Sequence, residues 1–253
     1  DNLDNANNGA CNRLLNKYIS DNTQPKNKNV VKTILDNTLM IWGDCSKTIF
    51  DSSAAKDDLS KYYLQILYGL IPKTTIKNNK LKGFHNCGND FDLVVSNFAI
   101  HYFFENEESL NNIAKNISNS LRSGGKFVAT TLNGEKVFNS LRYNDFVSSE
   151  ALKWKITKKY NSEVFPENEK GLGMKIEIYV DSIGQALDEF LVHPKYFEKV
   201  MSNYGLKLIK TIDFEETFIK ESALNTNYGT MLAMENDLKT YSFMNIGLVF
   251  EKE

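Results

Sequence analysis

A chain of 253 residues suits one large α/β domain or two small ones, and with 42% hydrophobic and 12% aromatic residues it can bury a sizeable core, which excludes global disorder. A formal net charge of −2 excludes a surface that attracts polyanions everywhere, so any nucleic-acid contact must come from local patches. No apolar run approaches a membrane span, and the chain does not open on a basic-then-apolar signal pattern.

In chain order, residues 10–18 read as a short helix and 22–29, with Pro25, as a loop. The apolar run 38–42 ends in Gly43-Asp44 and predicts a buried strand with a carboxylate at its C-terminal end. Residues 59–70 predict a helix, followed by a polar loop at 73–79. The continuous, β-branched run Phe91–Asn97 predicts a strand covered on both faces. Helical spacing of Leu110, Ile113, Ala114 and Ile117 predicts a helix over 107–121, stopped by Ser123-Gly124-Gly125, with a strand at 126–131. This strand–helix–strand unit belongs in a parallel sheet, with right-handed connection. Further strands are expected at 176–180, 206–211 and 242–250, with a helix at 195–204 closed by Gly205. The order fits a doubly wound sheet that ends in an antiparallel hairpin.

Cys11, Cys45 and Cys87 are odd in number and far apart, which argues against a disulfide framework and for a reducing compartment. His85, His101 and His193 share no metal-ligand spacing with them, so no metal site is expected. Lysine-rich stretches at 26–32, 73–82 and 153–159 are candidate RNA contacts or ordinary solvated surface.

Ligands of open α/β sheets bind beyond the carboxyl ends of the strands. Two such ends stand out here: Gly43-Asp44-Cys45-Ser46, and the turn from Ser96 and Asn97 through Phe98 to His101, Tyr102, Phe103 and Phe104. Rings beside a histidine and an amide suit stacking on a flat base while bonding its edge. Packing alone is the alternative: His101 as a satisfied core histidine, Phe103 and Phe104 as core, and Asp44 as a helix N-cap with Ser46.

The run from Phe91 to Tyr102 resembles a motif of guanine-N7 mRNA cap methyltransferases, an F-D strand followed by Q-F-x-x-H-Y. Ser123-Gly124-Gly125-Lys126-Phe127 through Thr130-Thr131-Leu132-Asn133 is similar to the family's next strand. Asp188-Glu189-Phe190-Leu191-Val192 is similar to its E-[FY]-L-V, and Val249-Phe250-Glu251-Lys252 to its closing strand. The resemblance implies a Rossmann-like class I S-adenosylmethionine-dependent methyltransferase with a mostly parallel sheet and an antiparallel C-terminal hairpin. It implies S-adenosylmethionine as cofactor, held by Asp44, Cys45, Ser46, Ser96, Asn97, Phe98 and Tyr102. It implies a cap-guanine pocket of Phe98, His101, Tyr102, Glu189 and Tyr241. Asn245 stands where many members carry a tyrosine that packs on the cap, with Tyr241 as the substitute. Alignment falls to His101, Tyr102 and Glu189, and no acid or base is needed.

The family's opening strand, its D-x-G-x-G-x-G turn and the ribose-binding acid are not found in this sequence. The chain is therefore expected to be one N-terminally truncated methyltransferase domain over 1–253, the C-terminal part of a larger capping enzyme, and inactive alone. Implied partners are the capped 5′ end of mRNA, fused guanylyltransferase and triphosphatase domains, and a stimulatory subunit, with no membrane. The implied location is the cytoplasm, viral factory or virion for a viral protein, and the nucleus for a cellular one. Two other readings stay open: a small-molecule methyltransferase, and a non-catalytic RNA-binding or allosteric subunit on a decayed methyltransferase fold.

Overall fold

The computed structural model describes residues 37–224 and 236–253, in two compact units, 1–89 and 90–253. The helix expected at 10–18, the loop at 22–29 and the lysines of 26–32 lie outside the described residues.

In the first unit, α1 (Asp58–Leu67) starts where the Asp57 carboxylate accepts from the Ser60 backbone N–H at 2.6 Å, which satisfies one orphan donor of the first turn. It ends three residues before the predicted boundary, where Gly69 takes φ +64°. Ile66 packs with Ile76 and Leu81 in a small core. The loop expected at 73–79 holds a single 3-10 turn, Lys73–Thr75, and leads into α2 (Asn79–Gly83).

The strand expected at 38–42 does not form. Gly43 makes one isolated antiparallel bridge to Ala55, and Trp42 is exposed. An apolar run becomes a buried strand only when partners take its backbone groups. Here the chain turns back over 45–54, and pairing stops after Asp44 N–H to Ala54 O (2.8 Å) and Lys56 N–H to Trp42 O (2.9 Å).

The second unit holds two four-stranded sheets. The first contains β1 (Phe91–Asn97), β2 (Leu121–Leu132), β7 (Leu206–Asp213) and β8 (Asn245–Lys252) in the order β1-β2-β8-β7. β1 and β2 are parallel, joined through α3 (Glu107–Ser120), and β8 runs antiparallel to both β2 and β7. The expected parallel pair and closing hairpin are thus both present. The Ser123-Gly124-Gly125 segment does not stop α3. The helix ends at Ser120 as Leu121 turns extended, and β2 begins at once. The two glycines make a bulge, where the partners of β1 jump from Leu121 to Lys126. A Cβ on Gly125 would sit 2.9 Å from both the Arg122 and Phe91 carbonyl oxygens.

β1 is an edge strand among the described residues. Val94 faces the core, whereas Phe91, Leu93 and Val95 on its other face are 43%, 52% and 51% exposed, so the expected cover on both faces is absent there. The core of this layer is Phe104, Phe127, Phe197 and Phe250 with Leu110, Ile117 and Leu248. Phe197 comes from α5 (Pro194–Ser202), which begins on Pro194 and ends before Gly205 at φ +71°.

The second sheet is an antiparallel meander of β3 (Phe146–Ser148), β4 (Trp154–Lys158), β5 (Lys175–Val180) and β6 (Gln185–Phe190). The strand expected at 176–180 is β5, but it lies here and not in the doubly wound sheet. Its alternating burial marks it as covered on one side, which suits a meander. Ile156, Ile176 and Ile178 pack on Val137 and Phe138 of α4 (Gly134–Ser140) and on Leu141, which caps its C-terminal end. Asn133 caps α4, its Oδ1 accepting from Glu135 N–H at 3.0 Å. Among the described residues, two further helices, α6 (Phe214–Leu224) and α7 (Asn236–Ser242), lie between β7 and β8 in sequence.

Candidate functional site

After β1 the chain tightens into a 3-10 turn, Ile100–Glu105. Three residues per turn put His101 and Phe104 on one side, and both are buried, while Tyr102 is about half exposed. Phe98, just before the turn, has φ +50° and is also about half exposed. A bulky residue in the left-handed region costs about 1–3 kcal/mol, and such strain gathers at ligand sites. Its backbone N–H bonds the Thr130 carbonyl at 2.8 Å, and Thr130 Oγ1 donates to Asn97 Oδ1 at 3.3 Å, which ties the end of β1 to β2. Ser96, Asn97 and Phe98 therefore close the carboxyl end of the strand, as predicted from their order.

The 3-10 turn packs against β6. Glu189 pairs across with Ile176, so its side chain shares the covered face, while its neighbour Asp188 points out to Lys175 Nζ at 3.0 Å. His101 Nδ1 lies 3.3 Å from Glu189 Oε2, and both side chains are largely buried. Burial alone pushes the His101 pKa down to about 4 and that of Glu189 up to about 7. The two groups touch, so they titrate as a pair that holds one proton between those values. His101 Nε2 is buried with no hydrogen-bond partner. The Tyr102 ring meets the His101 ring edge-on at 4.2 Å. Burial, then the Glu189 charge, raises the phenol pKa of both Tyr102 and Tyr241, the latter to about 12.

His101, Tyr102, Glu189 and Tyr241 are thus brought together from three elements far apart in sequence. Tyr241 sits on α7, its ring 5.6 Å from that of Trp154, whose indole N–H donates to the Asp237 carbonyl at 2.7 Å. Asn245 is buried behind it, and its Nδ2 donates to the carbonyls of Tyr241 (3.2 Å) and Ser242 (3.0 Å). Both amide protons are spent on the helix end, so Asn245 positions Tyr241 and does not face the pocket as a donor. Trp154 has the same kind of role and was not singled out in the sequence.

Asp44, Cys45 and Ser46 belong to the first unit. Asp44 Oδ1 accepts from the Ser46 hydroxyl (2.6 Å) and backbone N–H (3.1 Å), and Oδ2 meets Lys56 Nζ at 3.2 Å. The bond from Ser46, with the Lys56 ammonium, lowers its pKa against a burial penalty. Asp44 caps a turn with Ser46; the N-cap of α1 is Asp57. Burial raises the thiol pKa of the neighbouring Cys45.

A parallel β-α-β pair closed by an antiparallel hairpin, with a polar and aromatic cluster past a strand end, is the architecture of an α/β methyltransferase. The family described as "mRNA (guanine-N(7))-methyltransferase domain" matches residues 43–243, and the chain belongs to that family. A "Probable mRNA-capping enzyme" of Acanthamoeba polyphaga mimivirus is 27% identical over 212 residues, covering 79% of this chain and 17% of that protein. The mRNA-capping enzyme of African swine fever virus (strain Badajoz 1971 Vero-adapted) is 25% identical over 131 residues, 49% of this chain and 15% of that one. The mRNA cap guanine-N(7) methyltransferase of Cryptococcus neoformans is 27% identical over 176 residues, 64% of this chain and 28% of that one. The chain therefore spans less than a fifth of the length of the viral capping enzymes it matches. Among solved structures, an S-adenosylmethionine-dependent methyltransferase from Clostridium acetobutylicum is 13% identical with a TM-score of 0.37, covering 72% of this chain and 63% of that one.

Proposed function

We propose that the complete protein carrying this chain transfers a methyl group from S-adenosylmethionine to N7 of the 5′ cap guanine of mRNA. The observation that carries the reading is the buried His101–Glu189 pair, whose two groups match the guanine edge. Guanine offers two donors, N1–H and the 2-amino group, beside one acceptor, O6. Glu189 accepts from the donors. Burial keeps the shared proton on Glu189 in the free pair; a guanine with donors toward Glu189 and an acceptor toward His101 draws it onto the imidazole, which then gives Nδ1–H to Glu189 and Nε2–H to O6.

S-adenosylmethionine supplies an already activated methyl group. Guanine N7 has a free lone pair, so no residue need remove a proton. The chain's residues align the base and exclude water. Phe98 and Asn97 wall the strand end, and Tyr102 and Tyr241 flank the base. Asp44 fits the adenine amino group, because Oδ2 meets a single ammonium and keeps a lone pair free. We place this chain as one part of a larger capping enzyme, acting on the capped 5′ end.

Two results test this reading. In the complete protein, GpppRNA is methylated at guanine N7 and ApppRNA is not, since adenine lacks both donors that Glu189 would accept; equal rates on the two substrates would sink the pocket assignment. Asp44→Ala lowers S-adenosylmethionine affinity more than cap affinity in calorimetric titrations, and a selective loss of cap binding would remove Asp44 from the cofactor.

A further inference from the structure

A second cluster of ionisable side chains in the second unit shares no residue with the proposed guanine pocket. Glu135 lies in the first turn of α4, Glu167 two residues before the 3-10 turn Glu169–Gly171, and His193 at the N-cap of α5. One ligand-competent atom from each lies within 4.8 Å of those of the other two. They line a cavity of about 330 Å³ with Phe165 and Arg142. The approach of these elements is built in: a Cβ on Gly134 would run into the Val192 carbonyl oxygen, one residue before His193.

His193 points to a ligand independently of the carboxylates. It is 3% exposed, its Nδ1 has no hydrogen-bond partner, and its Nε2 stops 3.8 Å from Glu135 Oε1, beyond hydrogen-bond reach. A buried imidazole nitrogen without a partner is costly, and a ligand held at that nitrogen removes the cost. Glu167 meets Lys195 Nζ through Oε1 at 2.9 Å and is more than half exposed, so it can swing inward.

We propose that Glu135, Glu167 and His193 form a divalent-cation site of the zinc type, with solvent as the fourth ligand. Two carboxylate oxygens and one imidazole nitrogen are a zinc donor set, and zinc at about 2.0–2.2 Å from each would draw them to about 3.4 Å apart. Closing that gap needs a shift of up to about 1.4 Å, within the rotamer freedom of the exposed Glu167. The bound cation would tie the start of α4 to the start of α5.

Calorimetric titration of the full chain with Zn²⁺ in excess Mg²⁺ tests this, with Co²⁺ absorption as a probe of ligand type. One equivalent is expected to bind and raise Tm, without the thiolate charge-transfer band that binding at Cys45 or Cys87 would give. Glu135→Gln and Glu167→Gln each weaken binding more than about tenfold and abolish the Tm shift, while metal-free Tm stays close to that of the parent. Both sites tolerate the isosteric change because neither carboxylate is fully buried. The proposal is overturned by absence of stoichiometric binding, by unchanged affinity in both Gln variants, or by a thiolate band that accounts for the binding. None of these outcomes touches the methyl-transfer reading, which is measured separately.

Discussion

Phe197→Ala is expected to destabilise the protein by about 3–5 kcal/mol, the usual cost of deleting a fully buried ring from a packed core. The Phe197 ring is completely buried and meets Phe104, Phe127 and Phe250, with centroids at 5.5, 6.4 and 5.4 Å. These partners lie on the 3-10 turn, β2 and β8, so one ring joins α5 to both strands and to the turn that carries His101. Three neighbours with fixed backbones cannot collapse into the space left, which keeps the cavity term large. A urea titration should show a lower midpoint at unchanged slope. Ile219→Ala on α6, where the side chain is exposed, should change stability by less than about 0.5 kcal/mol. A loss for Phe197→Ala no greater than that of Ile219→Ala would mean that this face of α5 does not pack as described.

The same core shows what the sequence could and could not reveal. β1, α3, β2, α5, β7 and β8 were legible because their patterns are local: a continuous apolar run, helical spacing, a glycine at the stop. The strand expected at 38–42 had the same local pattern, but its end makes a single isolated bridge, Gly43 to Ala55, instead of a ladder, which composition does not encode. The meander was only partly legible. β4 begins with apolar and polar residues in alternation but β6 does not, and Asp188 beside Glu189 gives no hint which faces inward; the register with Ile176 decides it. The pocket residues His101, Tyr102 and Glu189 were readable through resemblance, since nothing local links the 3-10 turn to β6. Asn245 was expected in the pocket because of its place in the family pattern, yet its amide is spent on the end of α7. His193 and its carboxylates show no metal-ligand spacing in the sequence, because the three residues meet only in the folded chain.

In the complete protein, Glu189→Gln and His101→Ala should each cost about 1–3 kcal/mol of transition-state stabilisation on capped RNA, one to two decades in kcat/KM. Cofactor affinity should hardly change, because both residues face the proposed guanine. Gln keeps the shape of Glu but offers an NH₂ donor among guanine's donors and removes the charge. Ala at 101 removes the donor to O6 and part of the ring wall beside Tyr102. Because the two residues share one ligand and lie 3.3 Å apart, the double variant should lose less than the sum of the singles. The pH profile gives a second readout. Below about 7 the pair still holds its shared proton, which bound guanine draws from Glu189 onto the imidazole so that His101 donates with both nitrogens. As pH rises through that value the proton leaves, one imidazole nitrogen becomes an acceptor, and kcat/KM for capped RNA should fall. Glu189→Gln should flatten that limb. Steady-state kinetics over pH, with cofactor affinity measured separately, decide the matter: a silent single variant, additive losses, or a main effect on S-adenosylmethionine affinity would each break the assignment of this pair to the guanine edge.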